Sequence, residues 1–325
     1  MVLVGYIPKP EWCIMTFQTA STTRQTDMQT DRALGEIYKI QSQVLLAAHE
    51  FLHREGIVQM MPVMLSPVTD PLNHEVYDAS IDYLGQKLQL TKSMILHKQI
   101  AIARLDVRGI YIISPNVRLE KGVKSDRHLL EFSQLDIEIR DMPEEDFRRL
   151  VEGLMVHIFS RVKEYCEEEC LKLGIDIIVP QAPFRVYSSK KLLEKYGADF
   201  ESKISQLEKD LFWITDFDRE FYDREDPEDK GTYINYDLCY PNGYGEALSG
   251  GERDYEYSVL VRKILERGQD PKDFTPYLEL ARAKQLCPSS GGGLGIERLI
   301  RFLTKRKHIR ETTLFPRVPE ESIIV

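Results

Sequence analysis

The chain has 325 residues, 42% of them hydrophobic and 29% charged, with a net charge of −9. That length and apolar content allow a sizeable buried core and exclude a disordered chain, while the acidic balance argues against a protein devoted to gripping a polyanion. No apolar run approaches the roughly 18 residues of a membrane span, and the start MVLVGYIPKPEWC lacks the features of a signal peptide, so the cytoplasm is the expected compartment and no membrane is involved.

Residues 1–30 carry the polar run TASTTRQTDMQT and read as a loose N-terminal extension ahead of one domain over 31–325. Apolar residues at Ile37, Ile40, Val44, Leu45, Ala48 and Leu52 follow helical spacing, which predicts a long amphipathic helix over 31–55 with Gly56 as its stop. IVQMMPVML reads as a strand interrupted by Pro62. Strands are expected at 88–91, 110–114 and 132–139, followed by a helix over 144–173 that ends before Gly174. Further strands at 211–217 and 233–240 flank a charged turn, DREDPEDKG, and a last helix runs over 294–304 after a glycine run. Strands returning without regular intervening helices imply an α+β fold with an antiparallel sheet flanked by helices. The five cysteines (Cys13, Cys166, Cys170, Cys239, Cys287) form no CxxC pair and read as free thiols.

HEFLH, residues 49–53, matches the H-E-x-x-H zinc pattern, but both histidines lie along the flank of an amphipathic helix and no third ligand follows. More telling is residues 114–139, where Arg118 and Glu120 end one strand, Arg127 and His128 sit in a loop and Phe132 opens the next strand. Such a hairpin gathers guanidinium groups for phosphate, an aromatic face for a base and a carboxylate for polar edges. In residues 235–257, Asp237 and Glu246 bracket a Pro-Asn-Gly turn and Arg253 follows a Gly-Gly pair; two carboxylates joined by a turn suit Mg²⁺ shared with phosphates. GGGLGIERLIRFL has no GK[ST], so it is not a P-loop.

In this order the segments resemble motif 2, the stretch before motif 3, and motif 3 of the class II aminoacyl-tRNA synthetases, in the aspartyl and asparaginyl subgroup. The helix and strand through Pro62 resemble motif 1 and imply a homodimer. The resemblance implies that Arg118 holds the α-phosphate and that Glu120, Arg127 and His128 help place ATP. It also implies that Phe132 and Arg298 sandwich adenine, with Arg118 and Arg298 as the catalytic cations, and that Asp237 and Glu246 hold Mg²⁺. LTKSMILHKQ, residues 90–99, resembles the amino-acid pocket of aspartyl enzymes, implying Ser93, Lys98, Asp136 and Arg253 as the substrate set, with Lys98 and Arg253 clamping a side-chain carboxylate.

Two departures from the subgroup shape the expected function. Only about thirty residues precede the motif 1 helix, where the subgroup carries an anticodon-binding domain, and residues 66–80 do not reproduce the stretch whose glutamate binds the α-amino group, leaving Asp70 as the candidate substitute. The combination resembles archaeal asparagine synthetases related to asparaginyl-tRNA synthetase. The expectation is an AMP-forming ligase that joins aspartate and ammonia through a β-aspartyl-adenylate, with ATP and Mg²⁺ and with tRNA not required. The alternatives are an aspartyl- or asparaginyl-tRNA synthetase acting through the acceptor stem, and a non-catalytic synthetase paralogue.

Overall fold

The computed structural model describes residues 28–323 apart from 73, 123–124 and 219. Most of the extension expected over 1–30, with Cys13, therefore lies outside the described residues. Helix α1 (Met28–Arg54) leads into the two-residue strand β1 (Val58–Gln59), and a small sheet of β2 (Leu65–Ser66), β3 (Ser80–Tyr83) and β4 (Gln86–Leu90) precedes helix α2 (Ile95–Arg104). Next come β5 (Gly109–Val117), β6 (Glu131–Arg140), α3 (Glu144–Tyr165), α4 (Glu167–Leu173), β7 (Arg185–Ser188), α5 (Ser189–Tyr196), α6 (Phe200–Leu207) and β8 (Phe212–Thr215). β9 (Asn235–Tyr240), β10 (Gly245–Glu252), α7 (Tyr257–Glu266), α8 (Thr275–Arg282), β11 (Ser289–Gly295) and α9 (Ile296–Leu303) complete the order.

The main sheet has eight strands in the order β1-β5-β6-β11-β10-β9-β8-β7. Its central strands pair antiparallel, as the α+β reading requires, but both outermost pairs, β1 with β5 and β7 with β8, are parallel. The strand expected through Pro62 is also split: β1 joins the large sheet and β2 the small one. Proline cannot donate to a ladder, so the break falls at that residue.

Alternation decides which face of the sheet does what. On β6 the odd residues Leu135, Ile137 and Ile139 enter a core with Ile37, Ile40 and Val44 of α1 and Phe147, Leu154 and Ile158 of α3. The even residues Phe132, Gln134 and Asp136 therefore face the other way, away from the helices. The helix expected over 144–173 is interrupted at Cys166 between α3 and α4, and Gly174 ends it in the left-handed conformation at φ 65°. Three acidic residues in the first turn of α3, with Glu252 Oε1 accepting from the Glu144 N–H at 3.0 Å, suit the positive end of that helix.

Helices α5 to α8 carried no clear signal in the sequence. They are short and bury few positions: α5 buries only Ser189 and Leu192. α7 and α8 build a second core with Phe221, Phe274, Tyr277 and, from α2, Ile95 and Leu96. That core anchors α2 against the open face of the sheet. The glycine run at 291–293, to which the sequence assigned no element, is the middle of strand β11. Among the described residues, no helix is long and apolar enough to cross a membrane.

Phe147 is fully buried and stacks on Tyr236 at 5.5 Å between ring centroids. Phe147→Ala should destabilise the chain by about 3–5 kcal/mol, through lost transfer energy and an unfilled cavity, and chemical denaturation read by tryptophan fluorescence measures this directly.

Candidate active site

The open face of the sheet forms the floor of a cavity of about 520 Å³. Every residue that the resemblance assigned to the nucleotide, metal and amino acid lines it: Ser93, Lys98, Arg118, Glu120, Arg127, His128, Phe132, Asp136, Asp237, Glu246, Arg253 and Arg298. The cross-strand register explains how residues so far apart meet. β6 sets Asp136 beside Ile112 of β5 and Gly293 of β11, and β10 sets Ser249 beside Asp237 of β9.

One end of the cavity is built for a polyanion and an aromatic ring. Arg118 follows directly on β5; its Nε donates to Lys92 O at 2.9 Å, and its guanidinium stands 5.2 Å from the centroid of Phe132 on the paired strand. One face of Phe132 thus carries Arg118, and a planar base can stack on that face only when the guanidinium swings aside. Arg298, on α9, pairs with Glu246 at 3.1 Å and donates from Nε to Arg127 O at 3.3 Å. Gly245 has φ +78°, and a Cβ there would lie 2.4 Å from Arg127 Nη1, so the left-handed glycine makes room for that arginine. Burial, with help from Arg298 and Arg127, pushes the His128 imidazole down to about 4. At neutral pH it is a neutral ring rather than a third cation beside the two arginines.

The other end is a dry ion network. Lys98 reaches from α2 to the sheet, and its Nζ donates to Asp136 Oδ1 at 2.9 Å, with both side chains 2% exposed. Ser114 Oγ donates to the second oxygen of Asp136 at 2.6 Å. Arg253 donates from Nε to Glu138 Oε1 at 3.2 Å and from Nη1 to Asp223 Oδ1 at 3.3 Å. Burial alone would draw Arg253 down, but the Glu138 and Asp223 carboxylates hold it above its ordinary range. The expected picture of two cations facing one substrate carboxylate is therefore incomplete, because both are already paired with the protein's own carboxylates.

Glu138, Asp223 and Tyr222 belong to this site and were missed. Glu138 sits two residues beyond Asp136 on the same face of β6, so strand alternation was the available signal. Asp223 fell inside the stretch read as an exposed charged turn, yet it is 3% exposed and accepts from Asn235 Nδ2 at 3.0 Å. Asp70 is buried in the cavity wall, where Oδ1 accepts from the Leu72 N–H at 3.1 Å and from the Tyr222 hydroxyl at 3.3 Å. The segment around it is held by a bridge between Val76 and Glu120, and His74 pairs with Glu120 at 2.8 Å. The HEFLH histidines are elsewhere. His49 Nδ1 meets the Tyr111 hydroxyl, and Glu50 pairs with Arg161 at 3.2 Å.

For Mg²⁺, the donor chemistry fits: Asp237 and Glu246 are hard oxygen donors in one cavity, and that ion asks for one or two carboxylates with phosphate and water completing its shell. Glu246 would have to exchange Arg298 for the metal.

Comparison with known proteins gives a consistent picture. The family described as tRNA synthetases class II (D, K and N) matches residues 17–319. The asparagine–tRNA ligase of Pyrococcus abyssi is 32% identical over 305 residues, covering 88% of this chain and 69% of its own. The aspartate–tRNA(Asp/Asn) ligase of Methanopyrus kandleri is 33% identical over 302 residues, covering 86% of this chain and 67% of its own. Among solved structures, asparaginyl-tRNA synthetase from Pyrococcus horikoshii complexed with asparaginyl-adenylate superposes with a TM-score of 0.81 at 28% identity, over 90% of this chain and 70% of that one. These relatives are named for acting on tRNA. That overturns the expectation that tRNA is not required, which leaned on the short stretch ahead of α1.

The depressed His128 titration has a consequence for stability. The unfolded imidazole takes up its proton near pH 6.5 and the folded one only near 4, so the folded state binds fewer protons across that window and loses stability as pH falls through it. Relative to His128→Gln, the wild-type chain should lose about 2 kcal/mol more between pH 7 and pH 4, measurable by urea titration at both values.

Proposed function

From the premise that this chain belongs to the class II tRNA synthetases of the D, K and N group, we propose that it is an AMP-forming ligase that adenylates aspartate and passes the aspartyl group to tRNA. The observation that carries this reading is the common cavity, with Lys98 and Arg253 at one end and Arg118, Arg127 and Phe132 at the other. Relatives of both amino-acid types are similar to the chain, so the amino acid must be argued from the site. A side-chain carboxylate accepts from lysine and arginine with both oxygens, whereas the amide of asparagine turns one N–H₂ donor toward a cation and leaves the pairing incomplete.

In the first step the α-carboxylate of aspartate attacks the α-phosphorus of ATP in line, forming aspartyl-adenylate and expelling pyrophosphate. Arg118 offers N–H donors to the non-bridging oxygens as charge builds on them, Arg127 neutralises the outer phosphates, and Arg298 covers the adenine from the side opposite Phe132. Asp237 and Glu246 would hold Mg²⁺, which supplies charge neutralisation on the phosphates when bound. Adenine stacks on Phe132, with Glu120 at its polar edge. Asp70 and Ser93 receive the α-ammonium group, because residues 66–80 do not reproduce the stretch whose glutamate does so in the aspartyl enzymes. In the second step a hydroxyl of the terminal tRNA ribose attacks the aspartyl carbonyl, and AMP departs with the electron pair. The cytoplasm, with ATP and tRNA at hand, suits this reading.

The test is to supply ATP and Mg²⁺ with labelled aspartate or asparagine, with total tRNA or with ammonium alone. Aspartyl-tRNA and AMP are expected. Asparaginyl-tRNA as the main product would overturn the amino-acid assignment, and free asparagine formed from ammonium without tRNA would overturn the acceptor. Lys98→Leu leaves Asp136 buried without its cation and should lower kcat/KM for aspartate by about 100-fold or more, with the KM for ATP within about twofold of wild type. Steady-state pyrophosphate release at varied concentrations of each substrate reads both.

A homodimer completes the proposal. Met61, Met64 and Leu65 stand exposed around Pro62 just beyond α1, an apolar surface suited to a self-complementary two-fold contact. Sedimentation at micromolar concentration should give twice the chain mass, and Met61→Glu should shift it toward the single-chain value.

A further inference from the structure

Lys98 and Arg253, the two cations at the amino-acid end of the cavity, are joined by one carboxylate. Glu138 is fully buried and is absent from the cavity wall that Lys98 and Arg253 line. Its Oε1 accepts from Ser289 Oγ at 2.7 Å and from Arg253 Nε at 3.2 Å; its Oε2 accepts from Arg253 Nη2 at 3.4 Å and stands 3.7 Å from Lys98 Nζ. The guanidinium is planar, and the Nε and Nη2 donors form its lateral edge. Glu138 occupies that edge with both oxygens and Asp223 Oδ1 accepts from Nη1 at 3.3 Å, so a ligand carboxylate would meet Arg253 at the remaining N–H donors of its terminal nitrogens.

Space for this carboxylate is built into the neighbouring strand. Gly291 lies across from Glu138 in the β6–β11 ladder, and a Cβ on residue 291 would meet Glu138 Oε2 at 1.9 Å. The buried carboxylate and the glycine beside it are thus one device: the side chain lies flat across β11 only because that strand presents no side chain there. Lys98 is fixed by the same arrangement, since its Nζ also donates to Ile137 O at 3.4 Å and Gly292 O at 3.5 Å, the next cross-strand pair, between the Glu138 and Asp136 rungs.

We propose that Glu138 is the positioning residue of the amino-acid pocket, holding Arg253 edge-on and Lys98 at a fixed separation so that together they select a side-chain carboxylate over an amide. The inference rests on the reading of the cavity as an aspartate-activating site. An amide at this position accepts with its oxygen but turns an N–H₂ group toward Arg253 or Lys98, so the guanidinium loses its two-point hold and rotates. Removing the strut should therefore weaken selection without touching the ATP end.

The experiment is amino-acid-dependent ATP–pyrophosphate exchange by wild type, Glu138→Gln and Glu138→Asp, with aspartate and asparagine each titrated, and with melting temperature recorded for each variant. Glu138→Gln should raise the KM for aspartate by about tenfold or more and cut the aspartate-over-asparagine ratio of kcat/KM by a similar factor, with the KM for ATP within about twofold of wild type. Glu138→Asp keeps the charge but shortens the reach, and should fall between the two. A folded Glu138→Gln with unchanged aspartate KM and unchanged selectivity overturns the proposal. Equal losses toward aspartate and ATP, or unfolding of both variants, would make Glu138 a general structural residue and overturn it as well. Wild-type protein that exchanges with neither amino acid would instead sink the functional reading itself.

Discussion

The structure depends on keeping two cations and three carboxylates dry on one face of a sheet. Lys98, Arg253, Asp136, Glu138 and Asp223 are all at most 3% exposed, and charges taken out of water this completely cost more than they return unless each finds its partner. That requirement reaches outward through the fold. β6 must supply carboxylates on alternate residues, and β11 must be glycine opposite them. α2 must be pressed against the sheet so that Lys98 reaches Asp136, and the second core under α7 and α8 does the pressing. β10 must likewise approach β11 closely: a Cβ on Gly250 would lie 2.2 Å from Gly291 O. A preorganised charge array is what an adenylate-forming site needs, since its dipoles are then already aimed when the substrate arrives.

Much of this was legible. The 3.6-residue stripe of α1 and the alternation of β6 are strong local signals, because each element buries a long face against the same core. The twelve site residues were found through local motifs and meet in one cavity because the register of adjacent strands brings them there. What escaped was non-local. Nothing in GGG states that its partner strand carries a buried glutamate, so the run read only as glycines before a helix although it forms β11. Asp223 looked like part of a solvated turn, for its partners Arg253 and Asn235 are distant in the sequence. The parallel pairing of β1 and β7 at the sheet edges depends on crossovers that periodicity does not encode.

Function was legible in part for a similar reason. A cation pair in an aspartyl-like context is a sound local observation, whereas the number of residues before α1 is a weak one. The family membership and the tRNA-ligase relatives remove the second and leave the first standing. On the proposed function one sheet divides the labour: the hairpin of β5 and β6 with α9 would meet the nucleotide, and α2, β6 and the end of β10 would meet the side chain of the amino acid. The segment over 66–80 bridges the two, tied to the nucleotide end at Glu120 and to the amino-acid end through the Tyr222 hydroxyl on Asp70.

In this mechanism Lys98 and Arg253 receive the side-chain carboxylate of aspartate while its α-carboxyl reacts at Arg118. A crystal structure with a non-hydrolysable aspartyl-adenylate mimic, joined through the α-carboxyl group, tests this at the level of atoms. The free side-chain carboxylate should lie at the terminal nitrogens of Arg253 and within hydrogen-bond reach of Lys98, with the ammonium group at Asp70. A mimic bound with its side chain away from Lys98 and Arg253, or displaced by the equivalent mimic linked through the β-carboxyl group, would refute the assignment.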